Sequence, residues 1–164
     1  NIFNNHCDTV CMANIAQMVN VLQAMILTEG SKRVLTPTYH VFALYAAHPG
    51  AQQLESYAET SILRHDEEAV PTLHVSASRA ADGKILITAA NLDAAHPAEV
   101  QVLLGGVKAA AVNGTVLCGT ADARNTFTAP DAVQPKALPA VLTADGFTAA
   151  LPACSVAAFT VTPQ

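Results

Sequence analysis

Two runs of alternating apolar and polar residues, hinged on Asp82-Gly83, constrain this chain more than any other feature. In the first run Leu73, Val75 and Ala77 share one side, with His74, Ser76 and Ser78 on the other. Beyond the Asp-Gly pair, Ile85, Ile87 and Ala89 resume the same period. Such alternation places successive side chains on opposite faces of a strand, and Asp-Gly supplies the backbone that a tight hairpin turn demands. Further strand-like runs follow at Val100–Leu104, at Ala111-Val112 with Thr115–Leu117, and at Ala157-Phe159-Val161. They are bounded by Asn91-Leu92-Asp93, Gly105-Gly106, Asn113-Gly114 and Asp145-Gly146. Short strands at this spacing, with almost no helical periodicity between them, predict an antiparallel β-sandwich over residues 61–164. Phe127–Pro139, with three prolines, is expected to be an extended crossover between the sheets. Asn113-Gly114-Thr115 matches a glycosylation sequon, but Asn-Gly reads as a hairpin turn without any sugar.

Residues 1–60 read differently, and the change falls near the charged patch Arg64-His65-Asp66-Glu67-Glu68 before Pro71. Val10–Ala13 has the pattern of a short buried strand, while the residues from there to Thr28 form a connection of no assigned conformation. Thr36-Pro37 opens a helix, with Thr36 as N-cap and Pro37 at the first helical position, where its missing N–H costs nothing. Val41, Leu44, Tyr45 and His48 then share one helical face until Pro49-Gly50 stops it. A lone βα unit cannot cover both faces of its strand, so this part is expected to belong to a larger sheet or barrel. It is also expected to expose an apolar surface that pairs with another chain, giving a homo-oligomer.

Charge excludes several partners. Thirteen acidic and 8 basic residues are scattered singly, apart from Asp66-Glu67-Glu68, and give a net charge of −5. No basic stripe is present to neutralise phosphates, so nucleic acid is not an expected partner. Gln17, Asn20, Gln23 and Glu29 interrupt the most apolar stretch, so no membrane span is predicted. The start at Asn1 implies processing or a chain cut from something longer. Four cysteines are too few for a secreted disulfide scaffold, which points to a reducing, cytoplasmic setting.

Among chemical candidates, Cys7 and Cys11 with His6 form at most half of a metal site, and no second ligand pair follows. No metal or cofactor is expected. Cys118 and Cys154 are expected to be free and buried. The six histidines are dispersed, with His40 and His48 expected at the helix surface or boundary and His74 and His96 on the sandwich exterior. No nucleophile elbow, phosphate loop or dinucleotide fingerprint occurs. Glycoside hydrolysis needs two carboxylates across the scissile bond, yet the acidic residues here fall in loops and turns. No catalytic residue is therefore assigned. Asn14 and Gln17 end the apolar run: buried amides either tie down local backbone or face a polar ligand.

At this point the residues resemble a known family. Asn5-His6-Cys7-Asp8, Val10 and Met12–Val21 are similar to the last barrel strand of the α-L-arabinofuranosidases of glycoside hydrolase family 51. The similarity continues through Thr36–Tyr39 and its helix, Asn113–Leu117, Asn125-Thr126-Phe127 and Ala129–Val133. The resemblance implies an α+β fragment: residues 1–60 as the last βα unit of a (β/α)8 barrel, then residues 61–164 as a jelly-roll β-sandwich. It implies a retaining glycosidase that removes terminal arabinofuranosyl groups from arabinan or arabinoxylan oligosaccharides. Its nucleophile and acid/base Glu residues would lie upstream of Asn1, leaving this fragment inactive alone. It assigns Gln17 to the glycone subsite, with Asn14 and Asn20 bracing the loop. The competing class is a stand-alone β-sandwich binding or scaffolding module. Such modules present aromatic platforms to sugars, but the chain has no Trp and its 3 Tyr all precede residue 61.

Overall fold

The computed structural model describes every residue from Asn1 to Gln164. The chain opens with a short helix, α1 (Ile2–Asn5), then a hairpin of β1 (Ile26–Glu29) and β2 (Lys32–Leu35), then α2 (Pro37–Tyr45). Thereafter it is all strand: β3 (Gln52–Leu54), β4 (Ile62–His65), β5 (Glu68–Pro71), β6 (Leu73–Arg79), β7 (Ile85–Asn91) and β8 (Ala98–Leu103). The remainder is β9 (Ala109–Cys118), β10 (Lys136–Leu138), β11 (Ala140–Leu142), β12 (Gly146–Leu151) and β13 (Ser155–Pro163).

Two antiparallel sheets form the predicted sandwich. The larger has the order β10-β9-β13-β7-β6-β3 and the smaller β11-β12-β8. The expected hairpin is β6–β7, in register from Leu73↔Asn91 to Arg79↔Ile85. Its turn closes through Gly83, whose φ of +85° a side chain with a Cβ rarely adopts. Ile85, Ile87 and Ala89 point into the core with Val161 and Leu151, where Phe147 and Phe159 pack with ring centroids 4.9 Å apart. The expected crossover also forms, and it is abrupt: β10 belongs to the large sheet and β11 to the small one, with only Pro139 between them.

Two expectations are corrected, and two stretches left open gain a structure. Asn113-Gly114 is not a turn but the middle of β9, paired with Thr160 and Phe159. Glycine is needed there for close approach: a Cβ would lie 2.5 Å from the Leu138 carbonyl oxygen and 3.0 Å from the Phe159 ring. Val10–Ala13 forms no strand, and Cys11, Met12 and Ala13 are exposed, because no segment of the chain lies alongside to pair with them. The "connection" up to Thr28 contains most of β1, which pairs with β2 from Ile26↔Leu35 to Glu29↔Lys32. The charged patch is itself a hairpin, β4–β5, clamped at its base by Ser61 and Thr72, whose hydroxyls are 2.7 Å apart.

The large sheet takes its edge strand β3 from within residues 1–60. The outer face of the sheet is also covered from that segment. Asn1 donates to the His74 carbonyl at 2.7 Å, Asn4 to the Ser76 hydroxyl at 3.0 Å, and Asn5 to the Val75 carbonyl at 2.8 Å. Helix α2 begins as predicted, with the Thr36 hydroxyl accepting from the Tyr39 N–H at 3.4 Å.

Candidate functional site

Gln17 sits on a non-sheet segment that is fixed immediately after it. The Met18 carbonyl accepts from the Met25 and Ile26 N–H groups at 3.0 and 3.1 Å, and the Asn20 N–H donates to the Ile26 carbonyl at 3.1 Å. Val19 bridges Ile26 in parallel. Asn20 has φ +54°, the left-handed region that Asn tolerates better than most residues. Its side chain accepts from the Thr28 N–H at 2.7 Å and donates to the Thr28 carbonyl at 3.1 Å and hydroxyl at 2.9 Å. The carboxamide thus pairs with Thr28 as a strand peptide would. Asn20 thus braces the loop, whereas Asn14, expected to do the same, is exposed and makes no hydrogen bond. Gln17 and Asn14, expected at a buried strand end, are instead exposed, since nothing in the chain flanks the run before them.

Apolar side chains on either side of Gln17 in the sequence are uncovered. Met12 is 73% exposed and Leu22 90%, values that side chains of this size do not keep without reason when they cluster. Met12 lines a groove together with Phe3, Val10, Tyr39, Phe42 and Ala43. The Thr36 hydroxyl also donates to the Ala24 carbonyl at 2.7 Å, tying the start of α2 to the turn that follows Asn20.

Behind α2 lies a polar layer that the sequence did not reveal. His48, expected at the helix surface or boundary, is buried: its Nδ1 is 2.7 Å from the Ser78 hydroxyl and its Nε2 3.1 Å from the Thr88 hydroxyl. Thr88 in turn donates to the Asn1 carboxamide oxygen at 2.7 Å, which also accepts from Ser76 at 2.8 Å. Burial lowers the His48 pKa from its ordinary value and raises that of Tyr45, whose phenol contacts Thr88 and Asn1. His40, half-buried on α2, is also held low by burial, opposed by the charge of Asp131. The predictable signal was the alternating Ser76 and Ser78, small hydroxyls on the face opposite the core. Gly30, between Ile26–Glu29 and Lys32–Leu35, is the sequence signal for the hairpin that carries Thr28, the partner of Asn20.

Asp82 and Asp93 occupy turns as expected, but Glu29, Glu68 and Glu99 lie in strands β1, β5 and β8, contrary to the expectation that the acidic residues fall in loops and turns. Asp82 pairs with Lys84 at 2.7 Å, and Asp93 accepts from the Ala95 and His96 N–H groups at 2.8 and 3.0 Å. These backbone and side-chain contacts lower both pKa values, with the Lys84 side chain the largest cause at Asp82 and the Ala95 N–H at Asp93. Cys7 and Cys11 are exposed rather than packed, and Cys7 lies 3.7 Å from the Gln53 carboxamide oxygen. Cys118 and Cys154 are free and half-buried.

Fold and surface together define an antiparallel β-sandwich domain with an N-terminal extension that leaves one apolar side open. The family model for the α-L-arabinofuranosidase C-terminal domain matches residues 1–155, and the chain belongs to that family. An intracellular exo-α-L-arabinofuranosidase of Bacteroides ovatus is 40% identical over 137 residues, covering 82% of this chain and 26% of its own. An intracellular exo-α-(1→5)-L-arabinofuranosidase of Bifidobacterium longum is 30% identical over 163 residues, 92% of this chain and 28% of its own. The crystal structure of the family 51 arabinofuranosidase from Xanthomonas axonopodis pv. citri superimposes with a TM-score of 0.93 at 45% identity. That match covers 98% of this chain and 33% of the other. The chain therefore spans only 26–28% of the length of these curated relatives. The resemblance in the sequence is borne out.

Proposed function

We propose that this chain is the C-terminal part of a retaining exo-α-L-arabinofuranosidase that removes terminal arabinofuranosyl groups from arabinan or arabinoxylan oligosaccharides. The observation that carries this proposal is the uncovered apolar groove lined by Phe3, Val10, Met12, Tyr39 and Phe42. A strand-like run lacking flanking strands, next to a groove of this composition, fits a wedge of a (β/α)8 barrel whose other staves lie upstream. Residues 1–60 then complete that barrel, and residues 61–164 form its jelly-roll sandwich. The two catalytic Glu residues belong to the upstream part, and Gln17 reaches the arabinofuranose from the rim where barrel sites are built. Assembly into a homo-oligomer and a cytoplasmic location complete the proposal, the latter supported by the intracellular relatives.

The test compares residues 1–164 alone with the full-length enzyme on an aryl α-L-arabinofuranoside. Turnover is expected only from the full-length enzyme, and measurable hydrolysis by residues 1–164 alone refutes the assignment of the catalytic pair.

A further inference from the structure

Asn20 carries more interactions than an exposed loop residue needs. Its backbone occupies the left-handed region, its N–H is bound to Ile26, and its carboxamide makes three contacts with Thr28. Met18, two residues earlier, is anchored by both Met25 and Ile26. The chain between Gln17 and the β1–β2 hairpin is therefore held at two points, one made by backbone and one by the Asn20 side chain. Where Gln17 can reach depends on the course of the backbone that carries it, and that backbone is pinned directly after it, at Met18 and Asn20.

We propose that Asn20 is a positioning residue: by pairing with Thr28 it fixes the backbone that aims Gln17 at the sugar. The inference rests on the proposed role of Gln17 as a substrate contact. Asn is the side chain that suits this position, because it tolerates the left-handed backbone and offers an acceptor and donors together. Aspartate keeps the acceptor for the Thr28 N–H but sets a negative charge against the Thr28 carbonyl. Glycine keeps the backbone conformation without strain and removes all three side-chain contacts.

The experiment is a double-mutant cycle in the full-length enzyme, with kcat/KM for an aryl α-L-arabinofuranoside as the readout. Asn20→Gly is expected to lower kcat/KM roughly ten- to hundredfold, as displaced positioning groups do. The melting temperature is expected to move by less than ~2 °C, because glycine accepts this backbone. Thr28→Val, which removes one of the three side-chain contacts, is expected to cost less than about threefold. In a Gln17→Ala background, Asn20→Gly is expected to cost almost nothing more, since the group it positions is gone. If Asn20→Gly unfolds the enzyme, Asn20→Asp takes its place in the same cycle. An undiminished loss in the Gln17→Ala background overturns the positioning role. So does an Asn20→Gly enzyme with normal kcat/KM beside an impaired Gln17→Ala enzyme. A Gln17→Ala enzyme with normal kcat/KM overturns the substrate role of Gln17 itself, and the positioning role with it.

Discussion

Thr88→Val tests the polar layer with little change of shape. Thr88 is 1% exposed, and its hydroxyl lies within 3.1 Å of His48, Asn1 and Ser76. Valine fills the same space but offers neither donor nor acceptor. The three partners do not lose equally. Ser76 keeps its contacts with Asn1 and Asn4, and the Asn1 oxygen keeps the Ser76 hydroxyl. His48 Nε2 loses its protein partner, Nδ1 remaining on Ser78. One stranded buried nitrogen costs about 1–3 kcal/mol, and the lost bond to Asn1 adds about 1 kcal/mol, offset in part by the methyl group. The expected destabilisation is about 2–3 kcal/mol.

For a chain of 164 residues that corresponds to a fall in melting temperature of roughly 5–10 °C. Urea titration followed by circular dichroism measures it directly, with Thr88→Ser as the control that keeps the hydroxyl. A Thr88→Val chain within ~0.5 kcal/mol of the parent would show that the layer is structurally idle, since that is the scatter of neutral surface substitutions.

Gly114→Ala is expected to cost about 2–3 kcal/mol by forcing β9 away from the Leu138 carbonyl; an unchanged urea midpoint would refute it. The pH dependence follows from His48. Its folded pKa is depressed by burial, so the unfolded chain binds the proton more readily and folding is opposed as pH falls. The His48 contribution is complete above the ordinary histidine pKa of about 6.5 and shrinks as pH drops from there toward the lowered value. Asp82, Asp93 and Asp122 act in the opposite chemical sense but the same direction. Their depressed pKa values give stability present above about pH 4 and lost below it. Urea midpoints at pH 7, 6 and 5 are expected to decline, and His48→Gln to flatten that decline; a parent protein with a flat profile would contradict it.

Legibility in the sequence followed locality. The hairpin at Leu73–Ala89, the helix opened by Thr36-Pro37 and the crossover ending at Pro139 were all readable, because the deciding interactions lie within a few residues or in a simple period. Asn113-Gly114 was misread because Asn-Gly is a strong local turn signal, whereas here the glycine answers to Leu138 and Phe159 on neighbouring strands. The hydrogen bonds of His48 were not legible because its partners, Ser78 and Thr88, lie 30 and 40 residues away. Val10–Ala13 has the composition of a strand, but a strand is a pairing, and composition does not supply the partner. At the candidate site, bracing by Asn20 followed only from the family resemblance. Its partner was not legible, because Thr28 is presented by the β1–β2 hairpin, whose pairing is a contact between strands and not a local pattern.

The buried hydroxyls of Ser76, Ser78 and Thr88 also bear on how sandwiches of this kind can be exchanged among related enzymes. A sheet whose outer face is closed by Asn1, Asn4 and His48 is not a cartridge that can be cut at residue 61 and plugged in elsewhere. A chimera joined there would set three hydroxyls against whatever foreign surface it met. The workable seam runs through the layer's partners: residues 1–5, His48 and strands β6 and β7 have to travel together.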